Sequence, residues 1–182
     1  MTTYRLTDDP TVVIMDDTNV IPSDHRYWAD YQTWLAEGNS ADAAQTAEEI
    51  TAQNDALVTA ERDRRIASGF SFTPVEGGTT YTIQSRDTDR ENISGAAQLA
   101  FMAIVNGAAE GNYQWDGTGS DFQWITADNQ IITMDAQTTV KLGQTAAQIK
   151  QALIYKARAI KDLATFPDDY TDDKYWTEST SA

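Results

Sequence analysis

FQWITADNQIITM (Phe122–Met134), followed without a break by DAQTTVKLGQTAAQIKQALIYKARAIKDL (Asp135–Leu163), decides the fold. The first part reads as a hairpin. Two apolar runs, Phe122–Ile125 and Ile131–Met134, flank a polar Asp128-Asn129 turn. Asp135 then stands as the N-cap of one long helix. Along that helix Leu142, Ala146, Ile149, Leu153, Lys156, Ile160 and Leu163 recur at steps of four and three, the stripe that an amphipathic helix turns toward a partner surface.

Working outward toward the N-terminus, a third helix is predicted from Asp87 to about Asn106, with Ile93, Ala97, Leu99, Ala100, Phe101, Ile104 and Val105 inward. Its interior Gly95 weakens it and suggests the close approach of another backbone. The run Gly107 to Gly119 is a glycine-rich loop holding Tyr113 and Trp115. Before the helix, FSFT (Phe70–Thr73) and TYTIQS (Thr80–Ser85) alternate with period two around Val75-Glu76-Gly77-Gly78, which reads as a hairpin with a Gly-containing loop. A second helix spans roughly Ala44–Ser68 and is closed by Gly69. Ala47, Ile50, Asn54, Leu57, Glu61 and Arg64 keep heptad spacing along it. Only Ile50 and Leu57 are strong core residues, so it reads as a solvated connector; were it to pack on another subunit, Asn54 in the seam would fix the register.

Residues 1–10 read as polar and ordered only by contact. TVVIM (Thr11–Met15), a turn at Asp16–Asn19 and Val20-Ile21 make a strand pair ended by Pro22. Ser23 or Asp24 can cap the helix HRYWADYQTWLAEG, which Gly38 stops. Tyr27, Tyr31, Trp34 and Leu35 share one face of it, and Trp28 lies one step off. Past Phe166-Pro167, which break the long helix, DDYTDDKYWTESTSA carries five acidic residues and one Lys, a composition expected to be disordered when alone. The fold class is therefore α+β: small antiparallel hairpins packed with three to four helices, one of them long and C-terminal. The expected organisation is a strand–helix docking module (1–43), a connector helix (44–69), an α+β domain (70–165) and an acidic tail (166–182).

Composition narrows the function. The chain has 182 residues, 41% hydrophobic and 10% aromatic, enough for a packed core. Thirteen Lys+Arg against 28 Asp+Glu give a formal charge of −15, which disfavours phosphate backbones and anionic membrane surfaces. A basic protein surface is the natural attractive partner. With no cysteine, disulfides, thiolate metal sites and Cys nucleophiles are excluded. No apolar run approaches the roughly 20 residues of a membrane span, and MTTYRLTDDP lacks the pattern of a signal peptide. His25, the only histidine, reads as a helix-start residue rather than a triad or zinc member. Asp116-Gly117-Thr118-Gly119-Ser120-Asp121 lacks the closing acidic ligands of a calcium loop and reads as a turn. Gly77-Gly78 and Gly107–Gly111 match no phosphate-binding fingerprint. No catalytic, cofactor or metal residues are singled out. Tyr27, Trp28, Tyr31 and Trp34, with Tyr170, Tyr175 and Trp176 in the tail, are the expected partner contacts, because aromatics concentrate interface energy.

Two stretches also carry a resemblance. IPSDHRYWADYQTWLAEGNSAD (Ile21–Asp42) resembles the I-P-x-D…Y-x-x-Y-x-x-W-L-A-x-G-N segment found near the start of small tailed-phage proteins. AERDRRIASGFSF (Ala60–Phe72), Ser94-Gly95-Ala96-Ala97, Trp124…Asp128-Asn129 and Ala157–Asp162, in that order, resemble the DUF4376 domain of phage tail-region proteins. The resemblance supplies no catalytic residues. It implies a non-enzymatic virion protein, an adaptor in the tail fibre or baseplate region with other tail proteins as partners in an oligomeric assembly. It implies a place in the virion tail, with the host cytoplasm as the site of assembly. The alternatives are a tail-fibre assembly chaperone that leaves before the particle is finished, and a tail-associated glycan-cleaving enzyme.

Overall fold

The computed structural model describes residues 2–177 and divides into two units, Met1–Asn54 and Asp55–Ala182. In the first unit, β1 (Tyr4–Leu6), β2 (Val12–Met15) and β3 (Asn19–Pro22) form an antiparallel sheet in that order. The expected turn joins β2 to β3, and its Asp16 and Asp17 both take positive φ, 49° and 59°, which short polar side chains tolerate. Strand β1 corrects the expectation for residues 1–10. Tyr4 is buried against Tyr31 and Trp34, and the Leu6 and Asp42 amides close a short ladder at 2.9 and 2.8 Å to the Asp42 and Tyr4 carbonyls. A single well-placed aromatic ring outweighs the polar surroundings.

Helix α1 (Trp28–Ala36) starts later than its Ser23 and Asp24 suggest. The chain first turns over Pro22–His25, and Tyr27 precedes the helix with no side-chain cap. Gly38, at φ 90°, closes it as expected. Helix α2 (Ala47–Ala67) opens with a capping box: Thr46 N donates to Glu49 Oε2 at 2.8 Å and Glu49 N to Thr46 Oγ1 at 3.1 Å. Its buried residues are Val58, Glu61 and Ile66, while Ile50 and Leu57 stay 45% exposed. The inward face is thus rotated from the heptad of the sequence reading. Weak apolar periodicity left the register open, and Val58, fully buried, decides it.

In the second unit, β4 (Phe70–Phe72) pairs with β5 (Tyr81–Ile83), and β6 (Gln123–Ile125) with β7 (Ile131–Thr133), both antiparallel. Ala127 N donates to Thr82 O at 2.8 Å, tying the second hairpin to the first. The expected turn holds Asn129 at φ 61°. Gly69, at φ 93°, lies where a Cβ would stand 2.5 Å from Ile83 O, so only glycine passes there. Helix α3 (Asp87–Val105) and helix α4 (Ala136–Lys161) pack on each other and cover the hairpins. The core joins Phe70, Phe72, Ile83, Ile93, Ile132, Met134 and Leu142.

Asp135 caps α4 as its position implies, accepting from Thr138 N at 2.8 Å. Its second carboxylate oxygen takes Gly111 N at 2.8 Å, fastening the glycine-rich loop to the helix start. Trp115 fastens the same loop, donating Nε1–H to Met134 O at 3.0 Å and tilting over Phe122. The α4 stripe packs inward as read, except that Leu163 falls past the helix end and is 47% exposed. The close approach between α3 and α4 is at Gly143 of α4, where a Cβ would stand 2.5 Å from Ala97 Cβ. The expectation had placed that approach at Gly95, which has nothing within 4 Å.

Candidate protein interaction face

The aromatic residues expected to meet a partner have definite places. Tyr27, Trp28, Tyr31 and Trp34 gather around Tyr4, with ring centroids 5.0 Å apart for Tyr4–Tyr31 and Tyr4–Trp34 and 5.2 Å for Trp28–Tyr31. Tyr31 is 6% exposed and joins Tyr4, Val13 and Ile21 in the core of the small first unit, and the other three pack half-buried against it. Tyr27 also lies under the Arg26 guanidinium, whose Nη2–H reaches its hydroxyl at 2.7 Å.

The tail departs from its expectation of disorder up to Thr177; the rest of it lies outside the described residues. Trp176 is 4% exposed and packs with Val58, Ala157 and Ile160. Its Nε1–H donates to Tyr170 O at 2.7 Å, and the Arg65 guanidinium stands 5.1 Å from its ring centroid. Tyr170 and Tyr175 flank this cluster. Tyr175 donates its hydroxyl to Asp169 at 3.0 Å and lies beneath Lys174.

Cationic side chains of α2 and α4 join Trp176 in docking so acidic a segment on its own chain. Helix α4 carries Lys141, Lys150, Lys156, Arg158 and Lys161 and no acidic residue. Lys156 Nζ reaches Thr177 O at 2.5 Å, and Arg65 bridges Asp173 at 2.7 Å and Thr171 O at 2.7 Å. Arg65 is held in turn by Glu61, which also pairs with Arg64 at 2.7 Å. The hydrogen bond from Arg64 draws the Glu61 carboxyl below its ordinary pKa, burial opposes this, and Arg65 adds to the lowering. Burial also pushes Asp135 up, but the bonds from Thr138 and Gly111 outweigh it and leave that carboxyl low as well. A carboxylate whose folded pKa lies below its unfolded value stabilises above the unfolded value and stops doing so as pH falls toward the folded one. The melting temperature of the second unit is therefore expected to hold from pH 7 to about 5 and to drop from there to about 3, around the ordinary carboxylate range. A thermal melt series checks this. Glu61→Gln should flatten part of the drop, and a melting temperature that rises on acidification would contradict the assignment.

Among the described residues, no group of three or more His, Cys, Asp or Glu is arranged to hold a metal ion. In the Asp116–Asp121 loop, Asp116 Oδ1 accepts from Thr118 N and Oγ1, and Asp121 accepts from Gln114, so both carboxylates hold the turn itself. His25 Nδ1 accepts from Tyr27 N at 3.3 Å in the turn before α1. No helix among the described residues is long and apolar enough to cross a membrane.

One surface was not anticipated. On α3, Leu99, Phe101, Met102 and Val105 are 66%, 59%, 59% and 67% exposed. Ile93 and Ala100 are buried, with Ala97 and Ile104 partly so, and they fill the inward face, leaving the others no core to enter. The sequence signal was available: this helix is apolar nearly all the way round, more than one inward stripe can bury. Between α3 and α4 this face continues into an open groove of about 530 Å³, with Phe101, Met102 and Val140 beside Ala97, Gly143 and Ala147. No charged residue occurs from Asn92 to Asn106. Large apolar side chains clustered in water at this density mark contact surfaces.

A family model described as a domain of unknown function (DUF4376) matches residues 49–175. No curated protein and no solved structure matches the chain.

Proposed function

This chain belongs to the DUF4376 family, and on that premise we propose that it is a non-enzymatic assembly protein, an adaptor in the tail fibre or baseplate region of a tailed-phage particle. The observation that carries the assembly role is the uncharged α3 face, where four large apolar side chains each stand more than half exposed. Removing such a face from water is favourable and roughly proportional to the apolar area covered, so the chain gains stability by being fitted against protein. The two units suit an adaptor, since each has a core of its own. Asp9, Glu61, Asp89, Asp128, Asp135 and Asp169 are held below their ordinary pKa by neighbouring donors, which ties these carboxylates into turns, caps and ion pairs of the fold. The placement in a phage tail rests on the resemblance of Ile21–Asp42 and of the DUF4376 segments to phage tail-region proteins.

Quantitative mass spectrometry of purified particles tests the role. The expected result is this chain at a fixed copy number in the tail fraction. Abundance in infected cells with none in finished particles would replace the adaptor with an assembly chaperone. A second arm uses Met102→Lys, which places a charge on the α3 face. It should lower incorporation about tenfold while leaving the fold intact. Incorporation equal to the parent chain would remove that face from the argument.

A further inference from the structure

We infer that the α3 face is covered by a second copy of this chain, with the two α3 helices antiparallel about a twofold axis at the level of Ala100. This rests on reading that face as a docking surface. The chain carries −15, yet Asn92 to Asn106 hold no charged side chain. A face built to recruit a basic partner would set carboxylates among its apolar contacts, because complementary charge steers and orients association. This strip sets none, and the charges bordering its Gly95 end, Asp87, Arg90, Glu91 and Lys150, are of both signs. It is the place where two acidic chains meet with no like charges opposed at the centre.

In a twofold pair of antiparallel helices, positions at equal distance on either side of the axis face each other across the two copies. With the axis at Ala100, Gly95 of one copy lies opposite Val105 of the other. Gln98 lies opposite Met102, while Leu99 and Phe101, about 160° apart around the helix, border the contact on its two sides. Gly95 is the only glycine within α3, and a Cβ built there meets nothing within 4 Å. In a single chain it costs helix stability without serving any contact. Against Val105, which is 67% exposed, it becomes the hollow that receives a knob, and the symmetry repeats the fit on the other side of the axis.

Leu99, Phe101, Met102 and Val105 each leave roughly 100 Å² in water at their exposures. With Ser94, Gln98 and the α4 wall of the groove, each copy offers about 600 Å², and the pair about 1,200 Å², the lower edge of specific interfaces. An interface at that lower edge belongs with weak, reversible contacts.

Sedimentation equilibrium of the full chain across the micromolar range tests the pairing. The expected result is a monomer–dimer equilibrium. Met102→Lys and Gly95→Leu should each raise the dissociation constant at least about tenfold. Both positions are free of neighbours or exposed in the single chain, so thermal melts should stay level, and G95L should melt slightly higher from its better helix propensity. A parent chain that is monomeric throughout, or a G95L chain that pairs as tightly as the parent, overturns the pairing. The docking reading fails separately. A monomeric parent whose M102K variant is lost from particles keeps the docking face and gives it another occupant. A dimer whose variants enter particles normally keeps the pairing and ends the docking role.

Discussion

Trp176→Ala is expected to remove about 3–5 kcal/mol from the unfolding free energy of the second unit, the cost of truncating a buried tryptophan. Trp176 is 4% exposed and closes the cluster of Val58, Ala157 and Ile160, so its loss leaves a cavity where α2, α4 and the tail meet. The loss also strands its neighbours. Arg65 loses the ring its guanidinium covers, and Tyr170 O loses its indole donor. Trp176→Phe keeps most of the volume and gives up the N–H, and should cost less than half as much. Chemical denaturation of the parent and both variants, followed by tryptophan fluorescence, gives the values. A loss under about 1 kcal/mol for W176A would mean that the tail does not hold this chain together. Its aromatics would then be free for a partner.

Gly143→Val is expected to cost the second unit about 2–3 kcal/mol by overpacking. A Cβ at Gly143 would stand 2.5 Å from Ala97 Cβ, and a short alanine cannot swing aside, so α3 and α4 must separate. The exchange Gly143→Ala with Ala97→Gly makes the argument specific. G143A alone gains about 1 kcal/mol of helix propensity and loses more than that to the clash. A97G alone loses the propensity. Together they swap one methyl group for another across the same gap, and stability should return to near the parent value. A double variant no more stable than the sum of its single changes would refute the close approach. The melts also separate this glycine from Gly95, where any side chain should be accepted by the single chain.

Much of the fold was legible where local chemistry and tertiary packing agree. The Asp128-Asn129 turn, the Asp135 cap and the α4 stripe are each fixed by a few neighbouring residues, and each takes the predicted form. The misreadings arose where one distant contact overrides local character. Strand β1 exists because Tyr4 finds Tyr31 and Trp34, which lie roughly 30 residues on. The register of α2 follows Val58 rather than the heptad, because its partners Ala157 and Ile160 come from the far end of the chain. The tail docks because Trp176 enters the cluster of Val58, Ala157 and Ile160 and Arg65 of α2 bridges Asp173, contacts between segments that composition averages away. The candidate face is hidden in the sequence reading because Leu99, Phe101 and Val105 are expected inward beside Ile93, although one side of a helix cannot bury the four together. Tyr31 and Trp176, expected as partner contacts, lie in the interior of the chain.

Oxidative footprinting of methionines, on the dilute free chain and on purified particles, tests the account most directly. Met134, 1% exposed, should resist oxidation in both and serves as the internal reference. Met102, 59% exposed, should react readily in the free chain and be strongly protected once the chain is assembled. Equal reactivity of Met102 in the two states would show that nothing covers the α3 face, and assembly through it would be contradicted.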